Sequence, residues 1–302
     1  MVSPALRTPD APSLRFYDVR SPDGTLLQAW TNDAEGPTLL LCNGLGTNPY
    51  AWPALLRPDC GVRVVSWMHR GVGGSERPTD PRRVGVDAFV EDALAVMDDA
   101  GIASCALAGW SIGVNTAFEI AVQHPDRVSG LFAVAGVPGG TFSSMGAPLM
   151  IPRVARKPLA VGVTRLLRTA GKAITPVTSR LPVGPVSAHL LTHSGFMFPA
   201  PDHRAVRTAV REFLTTPVDW YMHLAHAAAG HPRVSLRSIS VPVTLVAGRY
   251  DILASSRDML TAAHRLPDAD YVELRGSHFL QLEHPDEVHR HLLAFLSRVP
   301  AG

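Results

Sequence analysis

The stretch Gly109-Trp110-Ser111-Ile112-Gly113 sets a hydroxyl between two glycines, after the apolar run "SCALAGW" and before the helix-like "VNTAFEIAVQHP". In that setting G-x-S-x-G carries a mechanism: a strand turns sharply into a helix and presents the serine as an exposed nucleophile. Small residues must flank such a turn, because a Cβ at Gly109 or Gly113 would crowd the neighbouring strand and helix. The helix N-terminus behind the serine favours developing negative charge. By itself the pentapeptide also fits a plain strand–helix loop with two incidental glycines. The rest of the chain has to decide.

A serine nucleophile needs a base, and the base needs an acid to orient it. "LVAGRYDILAS" puts Asp251 just beyond an apolar run, and "YVELRGSHFLQLEHP" puts His278 in a Gly-Ser-His loop after another short strand. Asp268 and Asp270 flank a turn and are weaker candidates for the acid. His284, His289 and His291 fall in or near a terminal helix and are expected to face solvent. Acyl transfer also needs donors for an oxyanion. The loop "CNGLGT" follows the first inner strand, and the expected donors are the backbone N–H groups of Leu45 and Ile112. Read alone, Asn43-Gly44-Leu45-Gly46 is a flexible turn; beside Ser111 it gains a role.

These residues must be held by a framework. "LRFYDVRSPDGTLLQAW" reads as two strands around a Pro-Asp-Gly turn. "PTLLLCNGLGT", "VRVVSWMHRGVGGS", "SCALAGW", "VSGLFAVAGV" and "VPVTLVAGRYD" are apolar on both faces, as inner strands of a covered sheet are. "VDAFVEDALAVMDDAGI" spaces Val86, Val90, Ala93, Leu94 and Met97 as one helical face. The alternation predicts an α/β fold: a mostly parallel central sheet with helices on both faces. From about Pro138 to about Ser240 the alternation stops. The expected division is a core of residues 1–138 and 239–302, with a helical lid, residues 139–238, inserted between core strands. Such an insertion would sit over the strand ends, where α/β proteins bind ligands.

Composition narrows the class. The chain has 302 residues, 46% hydrophobic and 18% charged, which fits a folded soluble protein rather than a disordered one. A formal charge of +2 is too small to imply a nucleic-acid partner. Three scattered cysteines, Cys42, Cys60 and Cys105, suit neither a disulfide framework nor a zinc site, and point to a reducing cytoplasm. The N-terminal "MVSPALRTPDAPSLRF" lacks the apolar centre of a signal peptide. No run reads as a membrane span.

In chain order, "NGLG", "HRGVGGS", "GWSIG", "HPDRV", "GRYD" and "GSH" make the sequence resemble the α/β-hydrolase superfamily in its lid-bearing branch. The likeness covers roughly residues 14–138 and 239–298. The order Ser111, Asp251, His278 matches that family's order of nucleophile, acid and base. Two departures stand out: Asn43-Gly44 replaces a frequent His-Gly, and Met68 takes the place of an Asp before His69-Arg70-Gly71. The resemblance implies a two-step reaction in which Ser111 forms an acyl-enzyme and water releases it, with no metal and no organic cofactor. It disfavours epoxide and haloalkane chemistry, which in this fold resembles an Asp nucleophile. The expected activity is that of a carboxylesterase or lipase-like hydrolase. The alternatives are carbon–carbon bond hydrolysis, lactone hydrolysis, perhydrolysis or acyl transfer with the same residues, or a ligand receptor without turnover.

The insertion bears on the substrate. Between Thr141 and Pro201 there is no acid, against Arg153, Arg156, Lys157, Arg165, Arg168, Lys172 and Arg180. A basic amphipathic segment can rest on an anionic membrane. Pro158 and Gly162 are expected to interrupt the helix there, which favours a solvated basic face and no stable membrane insertion. Trp110, Phe196, Met197 and Phe198 are the expected substrate-lining residues, and the partner is a small, largely apolar acyl compound.

Overall fold

The computed structural model of the protein describes residues 14–300. Most of the N-terminal stretch read for a leader, residues 1–13, lies outside the described residues. Among the described residues, eight strands form one sheet: β1 (Arg15–Arg20), β2 (Leu26–Thr31), β3 (Thr38–Cys42), β4 (Arg63–Trp67), β5 (Cys105–Trp110), β6 (Val128–Val134), β7 (Val243–Gly248) and β8 (Ala269–Leu274). Their order across the sheet is β1-β2-β4-β3-β5-β6-β7-β8. β1 and β2 pair antiparallel around the Pro-Asp-Gly turn, and β2 meets β4 antiparallel. Every other pairing is parallel. β5 and β7 are buried along their whole length, which is why they read as unbroken apolar runs.

The α-helices among the described residues are, in chain order, α1 (Val86–Asp99), α2 (Ile112–Gln123), α3 (Thr141–Ser144), α4 (Arg153–Thr178), α5 (Pro185–Thr192), α6 (His203–Phe213), α7 (Val218–Ala229), α8 (Ser256–Ala263), α9 (Leu280–Glu283) and α10 (Pro285–Leu296). Two apolar clusters, one on each face of the sheet, form the core. In one, Phe118 and Ile120 of α2 meet Leu40, Leu107 and Leu131. In the other, Leu292 and Phe295 of α10 meet Ala108 and Phe132.

Helices α3 to α7 occupy the interval between β6 and β7. The two ends of this insertion meet in an isolated antiparallel bridge between Gly139 and Arg233, so the segment leaves and rejoins the sheet through one narrow neck. The expected break at Pro158 and Gly162 does not occur: α4 runs unbroken for 26 residues with Pro158 and Pro176 inside it. Pro158 removes only the bond to the Val154 carbonyl, and Val154 is exposed, so water can satisfy that oxygen. The inner face of α4 packs on α7 so closely that a Cβ at Gly171 would come within 2.4 Å of the Asp219 nitrogen.

Candidate active site

Ser111 stands between the last residue of β5 and the first of α2, with φ +56° and ψ −120°. A non-glycine residue at positive φ is strained, and such strain survives only where its surroundings enforce it. Here the enforcement is visible. A Cβ at Gly109 would lie 2.7 Å from the Val114 Cα, and one at Gly113 would lie 1.8 Å from the Cys42 carbonyl oxygen. The two glycines thus let α2 begin directly against β5 and β3. The Ser111 N–H donates to the Val134 carbonyl of β6 at 3.1 Å, which fixes the turn to the sheet.

The Ser111 Oγ lies 2.8 Å from His278 Nε2, and His278 Nδ1 lies 2.8 Å from Asp251 Oδ2. Asp251 is fully buried just past β7. Its other oxygen accepts the N–H groups of Leu253 at 2.7 Å and Ala254 at 2.8 Å, which set the carboxyl plane. The three residues are separated in sequence by as much as 167 positions. The rejected acids lie elsewhere: Asp268 and Asp270 both pair with Arg298. His284, just before α10, and His289 and His291 within it are half-buried rather than fully solvent-facing. Burial lowers the His289 pKa from its ordinary value, and its ring abuts a small hollow beside Trp52.

The sequence offered no signal for what holds the His278 loop. Trp110 Nε1 donates to the His278 carbonyl at 2.9 Å. Glu283, buried in α9, accepts the Ser277 N–H at 2.7 Å and the Ser277 hydroxyl at 2.5 Å, and also the Phe198 N–H at 2.8 Å. One carboxyl group therefore ties the histidine loop to the insertion. In the loop after β3, Asn43 Oδ1 accepts from its neighbour Gly44 N–H at 3.0 Å and from Trp52 Nε1 at 3.1 Å. Asn43 thus braces the strand end that leads to Leu45. Among the described residues, the N–H groups of Leu45 and Ile112 have no protein acceptor, and both residues border the cavity beside Ser111.

That cavity has a volume of about 370 Å³ and lies between Ser111 and the insertion. Ser111 and His278 form part of its wall, with Trp110, Phe142, Met145, Phe196, Met197, Phe213, Tyr221 and Phe279. Burial pushes the Tyr221 hydroxyl up to about 12, so it stays protonated and uncharged. Among the described residues, no Asp, Glu, Lys or Arg lines the cavity. Three of the four expected lining residues are present. Phe198 is not: its ring turns to Tyr250 at 5.5 Å between centroids, away from the cavity, while its backbone is held by Glu283. Met68, at the departure noted in the sequence, is buried in the core, and the neighbouring Arg70 is fully buried with Nε and Nη2 on Asp92 at 2.9 and 2.7 Å.

A family model described as alpha/beta hydrolase fold matches residues 37–285. The chain is 23% identical over 291 residues to 3-oxoadipate enol-lactonase 2 of Acinetobacter baylyi, covering 95% of this chain and 99% of that one. A shorter match, 34% identical over 99 residues, takes in 32% of this chain and 37% of a Caulobacter segnis protein described as a candidate carbamate hydrolase, RutD. Among solved structures, the enol-lactonase from Burkholderia xenovorans LB400 superposes with a TM-score of 0.68 at 23% identity, covering 94% of this chain and 100% of that one. At that identity the likeness speaks for the fold.

Proposed function

The chain belongs to the alpha/beta hydrolase fold family, and within it we propose a serine hydrolase that cleaves an ester or related acyl bond of a small, largely apolar compound. The observation that carries this reading is the contact of His278 with Ser111 on one ring nitrogen and with Asp251 on the other, both at 2.8 Å. In this reading His278 Nε2 takes the Ser111 proton as Oγ attacks the acyl carbon. The Leu45 and Ile112 amides receive the oxyanion, with the N-terminus of α2 adding favourable potential. His278 then protonates the leaving oxygen, and an acyl-Ser111 remains. Water, deprotonated by the same imidazole, attacks the acyl carbon, and the acid departs as Ser111 regains its proton. Asp251 holds the imidazole tautomer and stabilises the imidazolium. The insertion acts as the lid that closes the acyl pocket.

Lactones fall within this chemistry, and the enol-lactonase relative favours testing them. A substrate bearing a free carboxylate is disfavoured, because no Lys or Arg among the described residues lines the cavity to pair with it. Carbon–carbon hydrolysis, perhydrolysis and acyl transfer would use the same three residues and differ in what enters the pocket. A receptor without turnover has no use for an aligned base and acid. The three cysteines are buried and free, which suits a reducing, cytoplasmic setting.

A fluorophosphonate probe tests the reading. The wild type should label on one serine, and Ser111→Ala should not label while unfolding at the same temperature within a few degrees. A panel of p-nitrophenyl esters and uncharged lactones then ranks substrates. Undiminished labelling and esterase rate in Ser111→Ala would remove the assignment.

A further inference from the structure

The insertion carries apolar side chains where a water-soluble helix would not. α4 is continuous, α7 and α3 pack against it, and Leu159, Val163 and Leu166 remain exposed on its outer surface. At 100° per residue, exposed Leu159, Val163 and Leu166 share a sector of about 60°. The loop before α4 adds Leu149 and Met150, the latter 88% exposed. Met150 is also held at φ +58°, a strained setting for a bulky side chain. Scattered surface apolars are ordinary, but a contiguous set is a mark of a contact surface.

Charge stands beside this set. An open cavity of about 640 Å³ is lined by Ala147, Pro148, Arg153, Arg156, Arg249 and Arg257, with one carboxylate, Asp258, and the hydroxyl-bearing Ser255, Ser256 and Thr261. Ala147 and Pro148 lead directly into Leu149 and Met150. Acids reach two of the four arginines: Asp258 lies 3.5 Å from Arg153 and Glu273 lies 4.0 Å from Arg249. Arg156 Nε is fixed on the Ile151 carbonyl at 2.8 Å. On α4, Arg156 lies next to the apolar sector. Arg165, Arg168 and Lys172 lie about half a turn round the helix from it, on the opposite flank.

We propose that the 147–150 loop and the Leu159–Val163–Leu166 face of α4 dock on an anionic phospholipid surface, with the four-arginine cavity taking headgroup phosphate. Apolar side chains standing outward with cations beside them match the acyl–headgroup boundary of a bilayer, where the stems bury and the charges meet phosphate. Guanidinium groups suit that partner because they bind phosphate in a forked geometry. The absence of any acid from Thr141 to Pro201 removes repulsion against such a surface. The docking is peripheral, since no helix among the described residues is long and apolar enough to cross a membrane.

Co-sedimentation of the full chain with phosphatidylcholine vesicles, with and without phosphatidylglycerol, tests this without reference to turnover. Binding should require phosphatidylglycerol and weaken steeply with salt. A base near the surface contributes roughly a five-fold factor, so Arg153→Gln, Arg156→Gln, Arg249→Gln and Arg257→Gln together should weaken binding at least ~100-fold. Replacing Arg165, Arg168 and Lys172 by Gln should weaken it far less. Met150→Asn should also lower binding while keeping or raising the unfolding temperature, because Asn tolerates the left-handed backbone. The proposal is overturned if the wild type stays in the supernatant at low salt, if neutral vesicles bind equally, or if the two sets of Gln substitutions weaken binding alike. It is also overturned if an acidic protein, and no vesicle, is retained.

Discussion

At the scale of single residues, the proposed chemistry turns on one carboxyl group. Asp251 is fully buried, with one oxygen on His278 and the other on two backbone N–H groups. Asp251→Asn can keep the backbone bonds through its amide oxygen but must present an NH₂ to His278 Nδ1. That favours the wrong tautomer, so turnover on a good ester should fall by about four orders of magnitude, with little change in KM. Asp270→Asn should stay near wild type, since Asp270 pairs with Arg298 on the surface. Steady-state kinetics of the two variants decide the matter, and the reverse pattern would move the acid to Asp270.

At the scale of elements, the base is only as precise as the loop that carries it. That loop is tied at two points, Trp110 Nε1 on the His278 carbonyl and Glu283 on both donors of Ser277. Glu283→Gln has the same shape but sets an NH₂ among Ser277 and Phe198 donors, leaving at least one buried donor without an acceptor. The expected cost is about 2 kcal/mol by urea unfolding, with slower acylation at nearly unchanged KM. Unchanged stability would mean that the loop does not depend on this carboxyl group. The sequence around Glu283, "FLQLEHP", reads as an ordinary helix start. Its partners come from the 277 loop and from Phe198, 85 residues away, so no local pattern could mark it.

At the scale of the whole molecule, His69 couples stability to pH. It is buried, its Nδ1 has no hydrogen-bond partner among the described residues, and its ring stands edge-on to Phe89 at 4.6 Å. Burial lowers its pKa from 6.5 to about 4. The folded state therefore keeps His69 neutral while the unfolded chain takes up a proton below 6.5. Its contribution is complete above pH 6.5, declines as pH falls towards 4, and amounts to about 3 kcal/mol across that window. His69→Gln should show a shallower loss of unfolding free energy between pH 6.5 and 4 than the wild type. Equal slopes would mean that His69 is solvated in the native state.

Much of this protein is local and therefore legible in its sequence. The apolar runs of β3, β5 and β7, the glycines around Ser111 and the loops bearing Asp251 and His278 each reflect a constraint within a few residues of themselves. Burial on both sheet faces, close backbone approach and turn geometry all leave marks of that kind. Other features arise from contacts between distant segments. Pro158 reads as a helix break, yet α4 is held through it by α7. Phe198 reads as a third pocket aromatic, yet Tyr250 and Glu283 draw it aside. The bases of the insertion read as one charged face, yet α4 turns the six it carries to different sides and gathers two with Arg249 and Arg257 from beyond β7. Side-chain direction and long-range partners are consequences of packing, and packing exists only once the chain has folded.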